Sequence, residues 1–183
     1  MVCTGNICRS PMAEGFLRHR LAERGIAARV SSAGVVGAGR PASESAVKAM
    51  VDHGIDIGDH RSRLIDPSMV RAADLVVGMA REHVREAVVL EPPAFPRTFT
   101  LKELVRRGRA VGPRAGSEPL PVWLARVHAG REPALHLGSS AEDDVADPLG
   151  QRLAVFERTA DELAELVDDL VALAWPEPAV AAP

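Results

Sequence analysis

Two cysteines are all that the 183-residue chain holds, and both fall in one short stretch near its start. No disulfide framework staples such a protein, and its thiols are available for chemistry in a reducing compartment. A run approaching the roughly 20 apolar residues of a membrane span is also missing, and the first residues lack the basic region and apolar run of a secretory signal. The expected compartment is the cytoplasm, with no membrane partner. Basic charge is not in excess either: the net charge is −3 and the isoelectric point about 6.1, so the global positive field of a nucleic-acid binder is absent. Lysine is scarce, with Lys48 and Lys102 alone among 22 basic residues, so arginine is a compositional habit and a lone Arg carries little weight. His53, His60, His83, His128 and His136 lack the paired spacing of zinc ligands. We therefore expect no metal and no other cofactor.

What is present fits one globular domain: 46% hydrophobic and 26% charged residues, with no internal repeat. Strand-like and helix-like stretches alternate. PMAEGFLRHRLAER (11–24) spaces Met12, Phe16, Leu17 and Leu21 on one helix face, and AARVSSAG reads as a short strand. A second helix is expected from Ser43 to His53. ADLVVGM (73–79) is a continuous apolar run of buried-strand length. A helix from Arg81 to Val88, a short edge strand in PRTFTL, the helix KELVRR and a long helix from Ala154 to Ala174 follow. The alternation predicts a three-layer α/β sandwich. We assign residues 1–175 to a single domain, with a surface insertion at about 108–140 holding one brief helix at Pro121 to Val127, and 176–183 to a flexible tail.

CTGNICRS carries the chemistry. A strand running into a glycine-containing turn that opens a helix presents backbone N–H groups and the positive end of the helix dipole toward an anion. A cysteine at the mouth of that cradle is favoured as thiolate and becomes a nucleophile. An arginine where loop meets helix can grip two oxygens of a tetrahedral oxyanion. Cys3 and Arg9 occupy those two places, with five residues between them. Expelling an alkoxide or phenoxide also calls for a general acid, and Asp143, Asp144, Asp147 and Asp161 all compete for that role.

The string VCTGNICRSP resembles the active-site signature of the low-molecular-weight protein tyrosine phosphatases of bacterial type. VSSAG (30–34), GRP (39–41), GID with HRSR (54–63), ADLVVGM and VADPLG (145–150) follow in the family's order. The resemblance implies a four-stranded parallel sheet of order 2-1-3-4 and hydrolysis of phosphomonoesters, protein phosphotyrosine or small aryl phosphates, through a phosphocysteine. It makes Cys3 the nucleophile, Arg9 the phosphoryl ligand and Asp147 the acid. Thr4, Gly5, Asn6, Ile7, Cys8 and Ser10 form the phosphate loop; Ser10 bonds the thiolate, and Asn6 shapes the loop through Ser32. Cys8 is either a small packing residue or the partner of Cys3 in a reversible protective disulfide. HRSR is either a solvated turn or a structural element beside the site.

Departures bear on the substrate. The chain contains no Tyr, and Leu149-Gly150 follow the DP pair where tyrosine-specific members carry aromatics, so a stacking rim is missing and Val35 and Val36 replace it poorly. The phosphoarginine-specific branch tends to have Thr where this chain has Ile7, which turns the expectation back toward aryl phosphates. Arsenate reduction on the same scaffold relays through further downstream cysteines, and none follows Cys8; a weakly active or non-catalytic oxyanion-binding domain is the third reading. Family members place a buried strand of several residues before the nucleophile, whereas Met1 and Val2 alone precede Cys3. The first strand is therefore expected to be truncated, with the true start upstream of the written one.

Overall fold

The computed structural model describes residues 1–133 and 137–177. Four parallel strands form the sheet: β1 (Val2–Cys3), β2 (Ala33–Gly34), β3 (Val76–Gly78) and β4 (Thr98–Thr100), in the order β2-β1-β3-β4. Val2 pairs with Ala33 on one side and Gly78 on the other, and Val76, Val77 and Gly78 pair with Thr98, Phe99 and Thr100. Helices cover both faces, so the three-layer α/β sandwich is as expected.

Alternation along each strand sends successive side chains to opposite faces. Cys3, Val77 and Phe99 join the larger core with α1 (Arg9–Glu23), α2 (Glu44–Val51), α5 (Leu101–Val111) and α7 (Leu153–Ala174). Val2, Ala33 and Val76 face a smaller core closed by α3 (Pro67–Ala72) and α4 (Arg81–Leu90). On α7 the buried stripe is Phe156, Ala160, Leu163, Val167, Leu170 and Ala174, a helical repeat that lays it across α1, α2 and α5. Helix α3 went unread in the sequence although its start signal is there. Asp66 caps it by accepting from Ser68 N (2.7 Å) and Met69 N (3.0 Å), and Pro67 stands at the first helical position.

Within the segment expected at about 108–140, residues 108–133 are not the loose surface excursion that their Gly, Pro and Arg content implied. After Gly112 ends α5, α6 (Leu120–His128) buries Trp123, Leu124 and Val127, and the Trp123 Nε1–H donates to Gly112 O at 3.0 Å. Arg131 then enters the interior, pairing with Glu103 at 2.8 Å and lying 4.0 Å over the Phe99 ring. A single tryptophan and one arginine anchor the segment, which is why composition misreads it. The expected helix at 121–127 is present and longer by one residue at each end. Of the expected tail, residues 178–183 lie outside the described residues, as do 134–136.

Strand β1 has two residues, and its neighbours are correspondingly short. The strand expected over AARVSSAG is strand only at Ala33–Gly34, where β1 offers partners; Ala33 N donates to Met1 O at 3.0 Å and the Met1 ammonium donates to Ser31 O at 2.8 Å. A groove of about 680 Å³ adjoins Met1, lined by Leu17, Leu21, Val30, Ala33 and Val76.

Candidate active site

The residues from Thr4 to Cys8 leave the C-terminal end of central β1 and enter α1, whose first helical residue is Arg9. Cys8 caps this helix without any side-chain bond, so the first-turn donors stay open. Among the described residues, the N–H groups of Gly5, Ile7 and Cys8 donate to no carbonyl or side chain. Buried amides of that kind need an acceptor, and an oxyanion in the loop supplies one.

Asn6 sets the curvature. It is fully buried with φ of 50°, a left-handed conformation that Asn tolerates better than most residues. Its Nδ2 donates to Ser10 Oγ (2.9 Å) and Ser32 Oγ (2.7 Å), and its Oδ1 accepts from Arg63 N (2.9 Å). His60 Nε2 lies 2.7 Å from Asn6 O, which puts the two ends of HRSR against one loop residue. The segment is thus structural, and Arg63 also donates to Ser32 O at 2.8 Å. Gly34 lies directly behind: a Cβ there would stand 2.9 Å from Asn6 N and from Thr4 O. The small residues of VSSAG therefore give the loop room to approach β2.

The Cys3 thiol is buried and faces two donors. Asn6 N–H reaches Sγ at 3.2 Å, and Ser10 Oγ lies 3.0 Å away. Because Ser10 Oγ already accepts from Asn6 Nδ2, its proton is free to point at sulfur. Cys8 is different: burial pushes its thiol above the usual range, a tendency opposed by Ser43 Oγ at 3.3 Å. Ser43 ties this part of the loop further, since its N–H donates to Ile7 O at 2.7 Å while its Oγ caps α2. Both cysteines are free.

Arg9 is buried and joins the loop to Asp147. One nitrogen, Nη2, contacts Asp147 Oδ2 at 2.6 Å and Thr4 Oγ1 at 3.4 Å; the other, Nη1, donates to Val145 O at 3.1 Å. Asp147 is the half-exposed partner, and its Oδ1 accepts from Leu149 N at 3.2 Å. Of its competitors, Asp161 sits on α7 beside His53 at 3.2 Å, while Asp143 and Asp144 turn toward arginines and backbone donors of their own. The structure thus brings together Cys3 to Ser10, Ser32 and Asp147. It decides for the structural reading of HRSR through His60, and adds Gly34, Ser43 and His83, to which sequence reading gave no individual role. His83 lies wholly buried below the loop with Nε2 3.1 Å from Thr4 Oγ1. Burial, and then the charge of Arg9, lowers its pKa to about 3, so the ring is neutral. Nothing at the start of α4 distinguishes His83 in sequence from a surface histidine. Among the described residues, no cluster of His, Cys, Asp and Glu is arranged to hold a metal ion, and no helix is long and apolar enough to cross a membrane.

A loop that wraps a thiol, a guanidinium fork and a carboxylate around open backbone donors suits a phosphoryl group, and known proteins of this form fit. A probable low molecular weight protein-tyrosine-phosphatase of Ralstonia solanacearum is 43% identical over 105 residues, covering 57% of this chain and 70% of that protein. A protein-arginine-phosphatase of Geobacillus stearothermophilus is 31% identical over 170 residues, covering 92% of this chain and 90% of that one. The crystal structure of a low molecular weight protein tyrosine phosphatase from T. tengcongensis superimposes with a TM-score of 0.70 at 36% identity, over 93% of this chain and 94% of that chain. Residues 1–111 match the family model for low molecular weight phosphotyrosine protein phosphatase, and this chain belongs to that family.

Proposed function

We propose that the enzyme hydrolyses phosphomonoesters through a phosphocysteine on Cys3. The observation that carries this reading is the loop itself, where a thiol with two hydrogen-bond donors lies beside an arginine fork already bonded to a carboxylate. The Cys3 thiolate attacks phosphorus, forming an S–P bond as the bond to the leaving oxygen breaks. Arg9 and the N–H groups of Gly5, Ile7 and Cys8 hold the three non-bridging oxygens, over which the charge of the transferring phosphoryl group is spread. A phosphoryl oxygen on the Arg9 fork competes with Asp147 for Nη2; the released carboxylate takes up a proton from solvent and passes it to the leaving oxygen as the P–O bond breaks. Asp147 then takes a proton from water as that water attacks phosphorus and the S–P bond breaks, returning thiolate and inorganic phosphate.

Protein phosphotyrosine and small aryl phosphates are the proposed substrates. The mouth is aliphatic, with Val36 beside Thr4 O (3.0 Å from its N–H) and Leu149 following the acid, both well exposed. Such a rim accommodates a ring by apolar contact and not by stacking. Coverage of nearly the whole chain by a protein-arginine-phosphatase favours phosphoarginine as the second reading. Free buried thiols are consistent with a cytoplasmic enzyme.

The test is hydrolysis of 4-nitrophenyl phosphate, then of phosphotyrosine and phosphoarginine, with reduction of arsenate by an added external thiol assayed beside them. Cys3→Ser should abolish turnover, and Asp147→Asn should lower it by about 10²-fold or more. Turnover retained in Cys3→Ser would refute the mechanism.

A further inference from the structure

The general acid stands on a segment that a separate ionic clamp holds in place. Asp143 is almost wholly buried, yet two arginines from different helices converge on it: Arg81 Nη2 and Nε reach Oδ2 at 2.7 and 2.9 Å, and Arg106 Nη2 reaches Oδ1 at 2.8 Å. Arg81 opens α4, and Arg106 belongs to α5, which leads into the 108–140 segment. Glu142 adds a contact to Arg106 at 3.3 Å. The next residue, Asp144, accepts from Arg81 N at 2.8 Å and from Ser140 N at 2.8 Å, supplying the acceptor that the uncapped start of α4 lacks. Val145 N then donates to Met79 O at 2.8 Å just beyond β3, and Val145 O accepts from Arg9. Four successive anchors end two residues before Asp147.

None of these groups touches the Cys3 thiol, and a buried carboxylate with two arginines is not needed merely to close a surface loop. Removing a partner from a buried charge pair leaves the other charge uncompensated, so the cluster has one low-energy arrangement. That rigidity is passed along three residues to the acid. An acid displaced by about 1 Å loses proton transfer well before it loses substrate binding.

We propose that Asp143, clamped by Arg81 and Arg106, is a positioning residue that fixes the reach of Asp147 toward the leaving oxygen. The inference rests on the assignment of Asp147 as acid. Its consequence depends on the leaving group, since a 4-nitrophenolate departs with little help and a phenolate needs the proton.

The experiment measures kcat/KM, which reports transfer to Cys3, along a series from 4-nitrophenyl to phenyl phosphate. The full chain is compared with Asp143→Asn, Asp147→Asn and the double variant. For Asp143→Asn the loss on phenyl phosphate should exceed that on 4-nitrophenyl phosphate by about fivefold, a fraction of what a general acid supplies. In the Asp147→Asn background the same change should add nothing, because there is no acid left to place. Arg106→Gln, at a half-exposed side chain, tests the same clamp with little risk to folding and should steepen the series in the same direction. Equal losses across the series in both clamp variants, or additive loss in the double variant, overturns the inference. If Asp147→Asn itself shows no leaving-group dependence, the acid assignment fails first, and the two failures are distinguishable.

Discussion

Replacing Asn6 by Ala should cost both stability and activity, by an amount the loop geometry sets. Three hydrogen bonds disappear: those to Ser10 and Ser32 at 2.9 and 2.7 Å, and that from Arg63 N at 2.9 Å. At about 1 kcal/mol net for each bond the loss is about 3 kcal/mol. A further penalty of about 1 kcal/mol arises because Ala resists the left-handed backbone that Asn6 adopts at φ of 50°. Asn6→Gly removes the same bonds without that penalty, so it should lie about 1 kcal/mol above Asn6→Ala. Urea unfolding followed by the fluorescence of buried Trp123 reads the difference. With a slope of about 2 kcal/mol per molar, the midpoint of Asn6→Ala should fall by roughly 2 M. Activity should fall in both variants, because Asn6 also presents its N–H to Cys3 Sγ and orients Ser10. A midpoint within about 0.3 M of the parent, or Asn6→Gly no more stable than Asn6→Ala, would refute the reasoning.

Gly34→Ala should leave the sheet folded and disable the loop, since the added methyl meets backbone atoms of Asn6 and Thr4 at 2.9 Å and the loop is what gives way; normal kcat/KM on an aryl phosphate would contradict it. His83, neutral with a pKa of about 3, makes stability acid-sensitive. The unfolded chain binds the proton first as pH falls, so this contribution is complete above about pH 6.5 and is lost through the folded value, roughly 3 kcal/mol of it by about pH 4.5. His83→Gln should flatten that part of the curve of melting temperature against pH, and an unchanged curve would sink the assignment. Peroxide inactivation should be reversed by thiol in the parent protein but remain largely irreversible in Cys8→Ala; equal recovery in both would remove any protective role for Cys8. A short apolar extension fused ahead of Met1 should raise the urea midpoint by filling the groove beside Leu21 and Val76, at about 2 kcal/mol for each buried Val or Ile, while a Gly-Ser extension of equal length should not.

The loop, the fold class and the sheet order were legible for different reasons. Cys3 to Ser10 are consecutive, so the whole string CTGNICRS could be read at once; the alternation of helix and strand gave the three-layer α/β class, and the sheet order came with the family resemblance. What stayed hidden depends on contacts across the chain. His83 acquires its place through a bond to Thr4 Oγ1, 79 positions away, and no local pattern distinguishes it from the solvent-facing His19, while His60, marked in sequence as part of HRSR, shows its structural role only in the bond to Asn6 O, 54 positions away. Trp123 carries residues 108–133 into the core together with Leu124, Val127 and Arg131, so the Gly and Pro around them dominate composition while a few buried side chains hold the segment. Strand length was misread for a third reason. AARVSSAG has strand character throughout, yet a ladder extends only as far as both partners do, and with Val2 and Cys3 alone in β1 the pairing register runs out at Ala33. Cys3 closes that short strand through its pairing with Gly34, and from the loop side Asn6 N–H and Ser10 Oγ hold its Sγ at 3.2 and 3.0 Å.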